Sequence, residues 1–206
     1  MNRHYFVTGI GTDVGKTVAS AILAQALGAY YIKPIQAGDL DNSDSIKIGN
    51  LCDDSVTILP EIFKLTSPMS PHAAAKIDGV EITLEKLTIK RPNANLIIEG
   101  AGGIMVPLNS NGLLLIDYIE NIQLPVIIVS RHYLGSINHT LLTIEILKNR
   151  NIIIEGIVFI GDENKETESI ILQKTNVKMI GRIPIATELN KKFIVEQALK
   201  LQESWN

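Results

Sequence analysis

The sequence predicts an α/β fold in three layers, with a mostly parallel central sheet covered by helices on both faces. Three observations predict it. Short β-rich runs alternate with helical segments along the chain, the pattern of strands joined by crossover helices. The runs are apolar almost throughout rather than alternating, as strands buried on both faces must be. The first run leads straight into a glycine-rich turn and then a helix, a layout in which backbone amides can gather around an anion.

The elements follow in order. Tyr5-Phe6-Val7 opens a strand over 5–8, and the turn Gly9-Ile10-Gly11-Thr12-Asp13-Val14-Gly15-Lys16-Thr17 leads into a helix over 16–27. This turn reads as a phosphate-binding loop and makes the fold P-loop NTPase-like, although the usual spacing would put glycine at Ile10. A strand over 30–33 precedes a helix over 44–51, for which Ser43 is the N-cap on the reading that makes Asp44 a first-turn acid. Residues 53–91 are less periodic and contain Pro60, Pro68 and Pro71, so they read as an excursion with short helices and not as a second domain. Asn95 begins a very apolar strand over 95–99, closed by the glycine-rich turn Gly100-Ala101-Gly102-Gly103. Helices over 113–121, 137–150, 166–174 and 191–204 then alternate with strands over 126–130, 153–160 and 178–183. Ser136 is the candidate cap of the 137–150 helix. No internal repeat or low-complexity segment interrupts this order.

Composition narrows the function classes. A chain of 206 residues is expected to form a single P-loop α/β domain over 1–206, with a continuous core. The hydrophobic share is 46% with only 5% aromatic, so that core is built of Ile, Leu, Val and Ala. A net charge of −3 gives no electrostatic case for nucleic acid or an acidic membrane. Cys52 is the single cysteine, which excludes an intrachain disulfide and a cysteine-based zinc site. With no leader-like segment and no membrane-length apolar run, a cytoplasmic protein is expected.

In an open α/β sheet, ligands collect beyond the carboxyl ends of the strands. Residues 9–17, 33–38, 99–103, Ser130-Arg131 and Gly161-Asp162 all fall there, which makes that edge the predicted active site. Lys16 can reach the outer phosphates and the Thr17 hydroxyl can ligate magnesium. Asp44 fits either as a first-turn acid favoured by the helix dipole or as a magnesium or nucleotide contact. Glu99 ends an apolar strand, where a bare carboxylate is costly; magnesium or a nearby lysine would supply the countercharge. Lys33 also ends an apolar strand, and either snorkels to solvent or aims its charge at a transferring phosphate. Leu134-Gly135-Ser136-Ile137-Asn138-His139 enters a long helix whose first amides suit a carboxylate. His72 and His139 read as polar surface or supporting residues, and Asp117 as a helix-surface acid. No convincing Ser/His or Cys/His nucleophile pair is present.

Several motifs together resemble the dethiobiotin synthetase family. They are residues 5–19, Lys33-Pro34-Ile35, Asn42-Ser43-Asp44, Ser70-Pro71-His72, Glu99-Gly100-Ala101-Gly102-Gly103 and Leu134-Gly135-Ser136-Ile137-Asn138-His139, in the family's order. That family also carries the one-residue-longer phosphate loop. The resemblance implies ATP as co-substrate, Mg2+, and the substrates 7,8-diaminononanoate and CO2 or bicarbonate. It implies nucleotide contacts from Asp13, Val14, Gly15, Lys16, Thr17, Val18, Asp44, Glu99, Gly100, Ala101, Gly102 and Pro184. Thr17, Asp44 and Glu99 match its magnesium positions; Lys16 and Lys33 match its phosphate- and carbamate-stabilising lysines, with Thr12 beside them. Thr12, Lys33, Ala37, Ser136 and Asn138 fall at its substrate-binding positions. It further implies a homodimer with active sites at the interface, Asn138 of one subunit receiving the carboxylate of substrate on the other. Three places depart from the pattern: Ala37 replaces a substrate-binding hydroxyl, Ile160 replaces an adenine-reading asparagine, and the region Arg182-Ile183-Pro184 keeps the Ile-Pro but little else.

Two other classes fit less well. Cobyrinate-type amidases carry a second, glutamine-hydrolysing domain with a nucleophilic cysteine, for which this chain has no room. Partition and septum-site nucleotide switches carry a lysine five residues before the loop lysine, where this chain has Gly11. They also use a basic membrane-binding helix, which is not evident here.

Overall fold

The computed structural model describes residues 2–205. Seven strands form a wholly parallel sheet in the order β4-β2-β6-β1-β7-β8-β9. They are β1 (His4–Gly9), β2 (Tyr30–Ile32), β4 (Thr57–Ile58), β6 (Leu96–Gly103), β7 (Val126–Arg131), β8 (Ile154–Ile160) and β9 (Met179–Ile183). Two further strands, β3 (Ile35–Ala37) and β5 (Phe63–Leu65), pair in parallel as a small separate sheet. The chain runs outward from central β1 to β2 and β4, returns to lay β6 beside β1, and then crosses to β7 on β1's other flank. This reversal of direction opens a crevice at the carboxyl end of β1.

Among the described residues seven α-helices complete the layers: α1 (Lys16–Leu27), α2 (Asp44–Leu51), α3 (Pro71–Ile77), α4 (Leu115–Ile122), α5 (Ser136–Asn149), α6 (Lys165–Thr175) and α7 (Lys191–Trp205). Helix α1 packs on the sheet, on α7 and on α2. Its Ala-Ile-Leu-Ala run is therefore buried nearly all round, which small residues permit. Helix α5 packs against β7, β8 and α6. One contiguous, mainly aliphatic core runs through both interlayers, with Tyr31, Tyr118, Phe6 and Phe159 as its largest fully buried members. No helix of the described residues is long and apolar enough to cross a membrane.

Most expected elements form within a residue or two, and α1 and α2 match their expected ranges. Three local readings are corrected. The glycines 100–103 do not form a turn; β6 continues through Gly103. Along β1 the pairing passes from Val7–Glu99 to Gly9–Gly103, so β6 bulges by two residues beside the phosphate loop. Gly102 takes φ +70° in that bulge, a backbone state glycine adopts without strain. Ser136 is not the cap of α5: Gly135 holds that position, and Ser136 is buried inside the first turn. Asp117 is more than a surface acid, for it accepts the Leu114 amide at 2.8 Å and pairs with Arg150 at 3.2 Å.

The 53–91 excursion is more ordered than its prolines suggested. It supplies edge strand β4, strand β5 and helix α3, which has Pro71 in its first turn, where no amide partner is lost. Strands as short as β4 and β5 have too few residues to show any periodicity, and tertiary pairing alone defines them.

Candidate active site

The site begins at the junction of β1 and α1. Gly15, at φ +90°, turns the chain so that α1 starts at Lys16. No side chain caps α1, and its first turn carries no acid. Its first amides and the positive end of its dipole are thus free to receive an anion. Lys16 folds back over the loop and donates from Nζ to the Gly11 carbonyl at 2.8 Å. Burial lowers the pKa of Lys16, and the nearby Lys33 charge adds to this against the pull of Glu99.

The strands beside β1 bring charged groups to the same mouth. Glu99, 1% exposed, lies where β6 pairs with Val7 of β1. Its Oε1 accepts from the Thr17 hydroxyl at 3.1 Å and lies 3.7 Å from Lys33 Nζ. Its Oε2 accepts from the Tyr31 phenol at 2.9 Å. Lys33, just past β2, is buried and does not snorkel; its ammonium donates to Asp44 at the start of α2. Ser43 caps that helix by accepting the Ile46 amide at 3.3 Å. Burial alone would lower the pKa of Lys33, but Glu99 and Asp44 outweigh it and raise it. Asp44 responds in the opposite sense: burial would raise its pKa, and Lys33 overrides this to hold it below the usual range. The two lysines are therefore distinct, Lys16 held by a carbonyl and Lys33 by two carboxylates.

These groups line one wall of a cleft of about 580 Å³. The facing wall is apolar and comes from the ends of β8 and β9: Ile160, Ile183, Pro184, Ile185, Ala186 and Leu189. Ile160 closes over the loop so tightly that a Cβ on Gly15 would lie 3.3 Å from it. Arg131, at the end of β7, reaches the rim.

Comparison with known proteins agrees with this arrangement. A family model described as an AAA domain matches residues 3–192. The chain is 51% identical to ATP-dependent dethiobiotin synthetase BioD of Christiangramia forsetii, over 98% of both chains. It is 47% identical to the protein of that name from Cytophaga hutchinsonii, again over 98% of both. The chain belongs to the dethiobiotin synthetase family. Among solved structures, a ParA family ATPase from Chlorobium tepidum superposes with a TM-score of 0.63 at 14% identity, covering 96% of this chain and 98% of that one. The septum site-determining protein MinD of Pyrococcus horikoshii, solved with Mg-ADP, gives 0.58 at 14% identity, covering 100% of this chain and 93% of that one. At that identity these two establish the P-loop α/β fold and nothing about partners.

Measured against the family positions, the structure gathers Thr12, Asp13, Gly15, Lys16, Thr17, Val18, Lys33, Asp44, Glu99, Gly102 and Pro184 around the cleft. Val14 instead turns into the core, and Gly100 and Ala101 lie behind Glu99. Ala37 sits on β3, outside the cleft lining. Ser136 and Asn138 line a separate cavity of about 810 Å³ with His132 and Tyr133. His72 and His139 bond to Ser70 and Tyr133, respectively.

Sequence reading named Ile160 and Pro184 on the apolar wall but missed Ile185, Ala186 and Leu189, the rim residue Lys47, and Tyr31. Beyond Ile183-Pro184 the wall carries no motif, only ordinary aliphatics after a strand. Tyr31 could have been found: it lies two residues before Lys33, on the same side of an extended strand.

Proposed function

We propose that the chain closes the ureido ring of dethiobiotin from 7,8-diaminononanoate, CO2 and ATP, releasing ADP and phosphate. The observation that carries this reading is the buried Lys33, placed between Asp44 and Glu99 at the mouth of the phosphate loop. A cation so held belongs where negative charge must be managed during transfer. One amine adds to CO2 and loses a proton, giving a carbamate. A carbamate oxygen then takes the γ-phosphoryl group and ADP leaves. The second amine attacks the carbamate carbon, the ring closes, and phosphate departs. Lys16 and the α1 amides hold the phosphates, Lys33 offsets charge on the carbamate and the moving phosphoryl group, and Thr12 helps to position them. Phosphoryl transfer needs positioning and electrostatics more than a protein nucleophile.

The oxygen donors Thr17, Asp44 and Glu99 suit magnesium, and two of them already hold a cation in the Lys33 ammonium. Among the described residues no three His, Cys, Asp or Glu gather as a self-sufficient metal site. This fits an ion that takes one or two carboxylates and completes its shell with phosphate oxygens and water. When bound, magnesium would offset phosphate charge. The apolar wall from Ile160 to Leu189 is assigned to the nucleotide base.

We assign Ser136, Asn138 and the first amides of α5 to the substrate carboxylate of a second subunit. Support comes from Leu134, fully exposed beside them, with Ile137 and Tyr133 also open: an apolar patch suited to burial in a homodimer. Sedimentation should show a dimer for the native chain and a monomer for Leu134→Glu.

The deciding experiment is incubation with 7,8-diaminononanoate, bicarbonate, magnesium and ATP, read by mass spectrometry. Dethiobiotin forming in step with ADP is the expected result. ATP hydrolysis without ring closure would refute the assignment.

A further inference from the structure

Tyr31 is fully buried in β2, yet it carries a polar group into the interior. Its ring is opposite Ile97 in the β2–β6 register, two residues before Glu99 on the next strand. Side chains two apart share a face, so Tyr31, Lys33, Ile97 and Glu99 all lie on one side of the sheet. The phenol donates to Glu99 Oε2 at 2.9 Å, while Oε1 faces Thr17 and Lys33. One carboxylate oxygen is therefore tied to the core and the other is presented to the cleft.

We propose that Tyr31 is a positioning residue that fixes the Glu99 carboxylate so that one oxygen always faces Thr17, Lys33 and the metal. The inference rests on the magnesium assignment of Glu99 made above. The Glu99 carboxylate, midway along β6, has two free side-chain torsions before its terminal one, and in a dry interior an oxygen without a donor is expensive. The phenol removes both problems at once. It satisfies the inward oxygen and prevents the group from rotating that oxygen toward the cleft. Outer partners of this kind orient ligands, and losing one costs about ten- to a hundredfold in metal affinity.

Tyr118 provides a matched control. It is equally buried, but its hydroxyl bonds to no protein group and its ring packs edge-on against Phe6. Mn2+ binding in the presence of a non-hydrolysable ATP analogue, followed by electron paramagnetic resonance, tests the proposal without turnover. Tyr31→Phe should bind Mn2+ about tenfold more weakly while its metal-free affinity for the analogue is unchanged. Tyr118→Phe should match the native chain in both. Equal Mn2+ affinity in Tyr31→Phe and the native chain would overturn the role of Tyr31 and leave the site reading intact. Failure of the native chain itself to bind Mn2+ with the analogue would overturn the metal assignment and this inference together. Should Tyr31→Phe not fold, adding Glu99→Gln removes the stranded charge and should restore folding; an unfolded double variant would refute the pairing.

Discussion

The two walls of the cleft are built on opposite principles. On the side of β1, β2 and β6, Lys16, Thr17, Lys33, Asp44 and Glu99 are bonded to one another or to the backbone, and each constrains the next. On the side of β8 and β9, Ile160, Ile183, Ile185 and Leu189 offer aliphatic surface with no fixed polar atom among these side chains. Charge held in a dry network is directional, and removing one member strands its partners. Aliphatic contact is non-directional and scales with area. The first wall should therefore fail abruptly when altered and the second gradually.

That contrast orders the expected outcomes. Lys33→Ala should retain ATP binding and lose about a hundredfold or more of turnover, the usual cost of removing a charge contact made in the transition state. Near-native ring closure in a single-turnover assay would take Lys33 out of the mechanism. Gly15→Ala comes next. It forces a side chain into φ +90° and against Ile160, a strain of about 1–3 kcal/mol. Calorimetry should show ATP affinity falling by about tenfold, with the rest of the fold intact.

The apolar wall should respond less. Ile160→Ala should raise KM for ATP by about three- to tenfold at nearly constant kcat, since the contact is shared by ground and transition states. A large fall in kcat would show that Ile160 acts on the phosphate loop and not on the base.

The smallest effect is on stability against pH, because Asp44 keeps some solvent contact. Its folded pKa lies below the unfolded value near 3.8, so its contribution is present above that value and lost as pH falls through the folded one. Lys33 mirrors it: with its pKa raised above 10.5, its contribution holds below that value and fades as pH rises through the folded pKa. Urea titrations across pH should show a shallower acid limb for Asp44→Asn.

Much of the charged wall was legible in the sequence because each member sits at a place with a mechanical meaning. Lys16 and Thr17 open a helix after a glycine turn, while Lys33 and Glu99 close apolar runs where charge is out of place. Tyr31 was hidden because a tyrosine in an apolar strand is unremarkable until its neighbour is known. Ile185, Ala186 and Leu189 of the apolar wall were hidden for a related reason: aliphatic residues after a strand look the same whether they meet a ligand, a helix or water. The glycines 100–103 misled because glycine signals a turn by default, whereas here they allow a bulge to run beside the phosphate loop.

By itself, the sequence determined the alternation of strand and helix, the phosphate loop, and the family. Each of these depends on local spacing or on residues read in order along the chain. Only the tertiary structure decided that β6 lies between β1 and β2, which places Glu99 within reach of Thr17, Lys33 and Tyr31 at once. Those groups are 82, 66 and 68 positions away from it along the chain. Contacts at such separations depend on strand order and register, which leave no periodic trace in the amino acids that obey them.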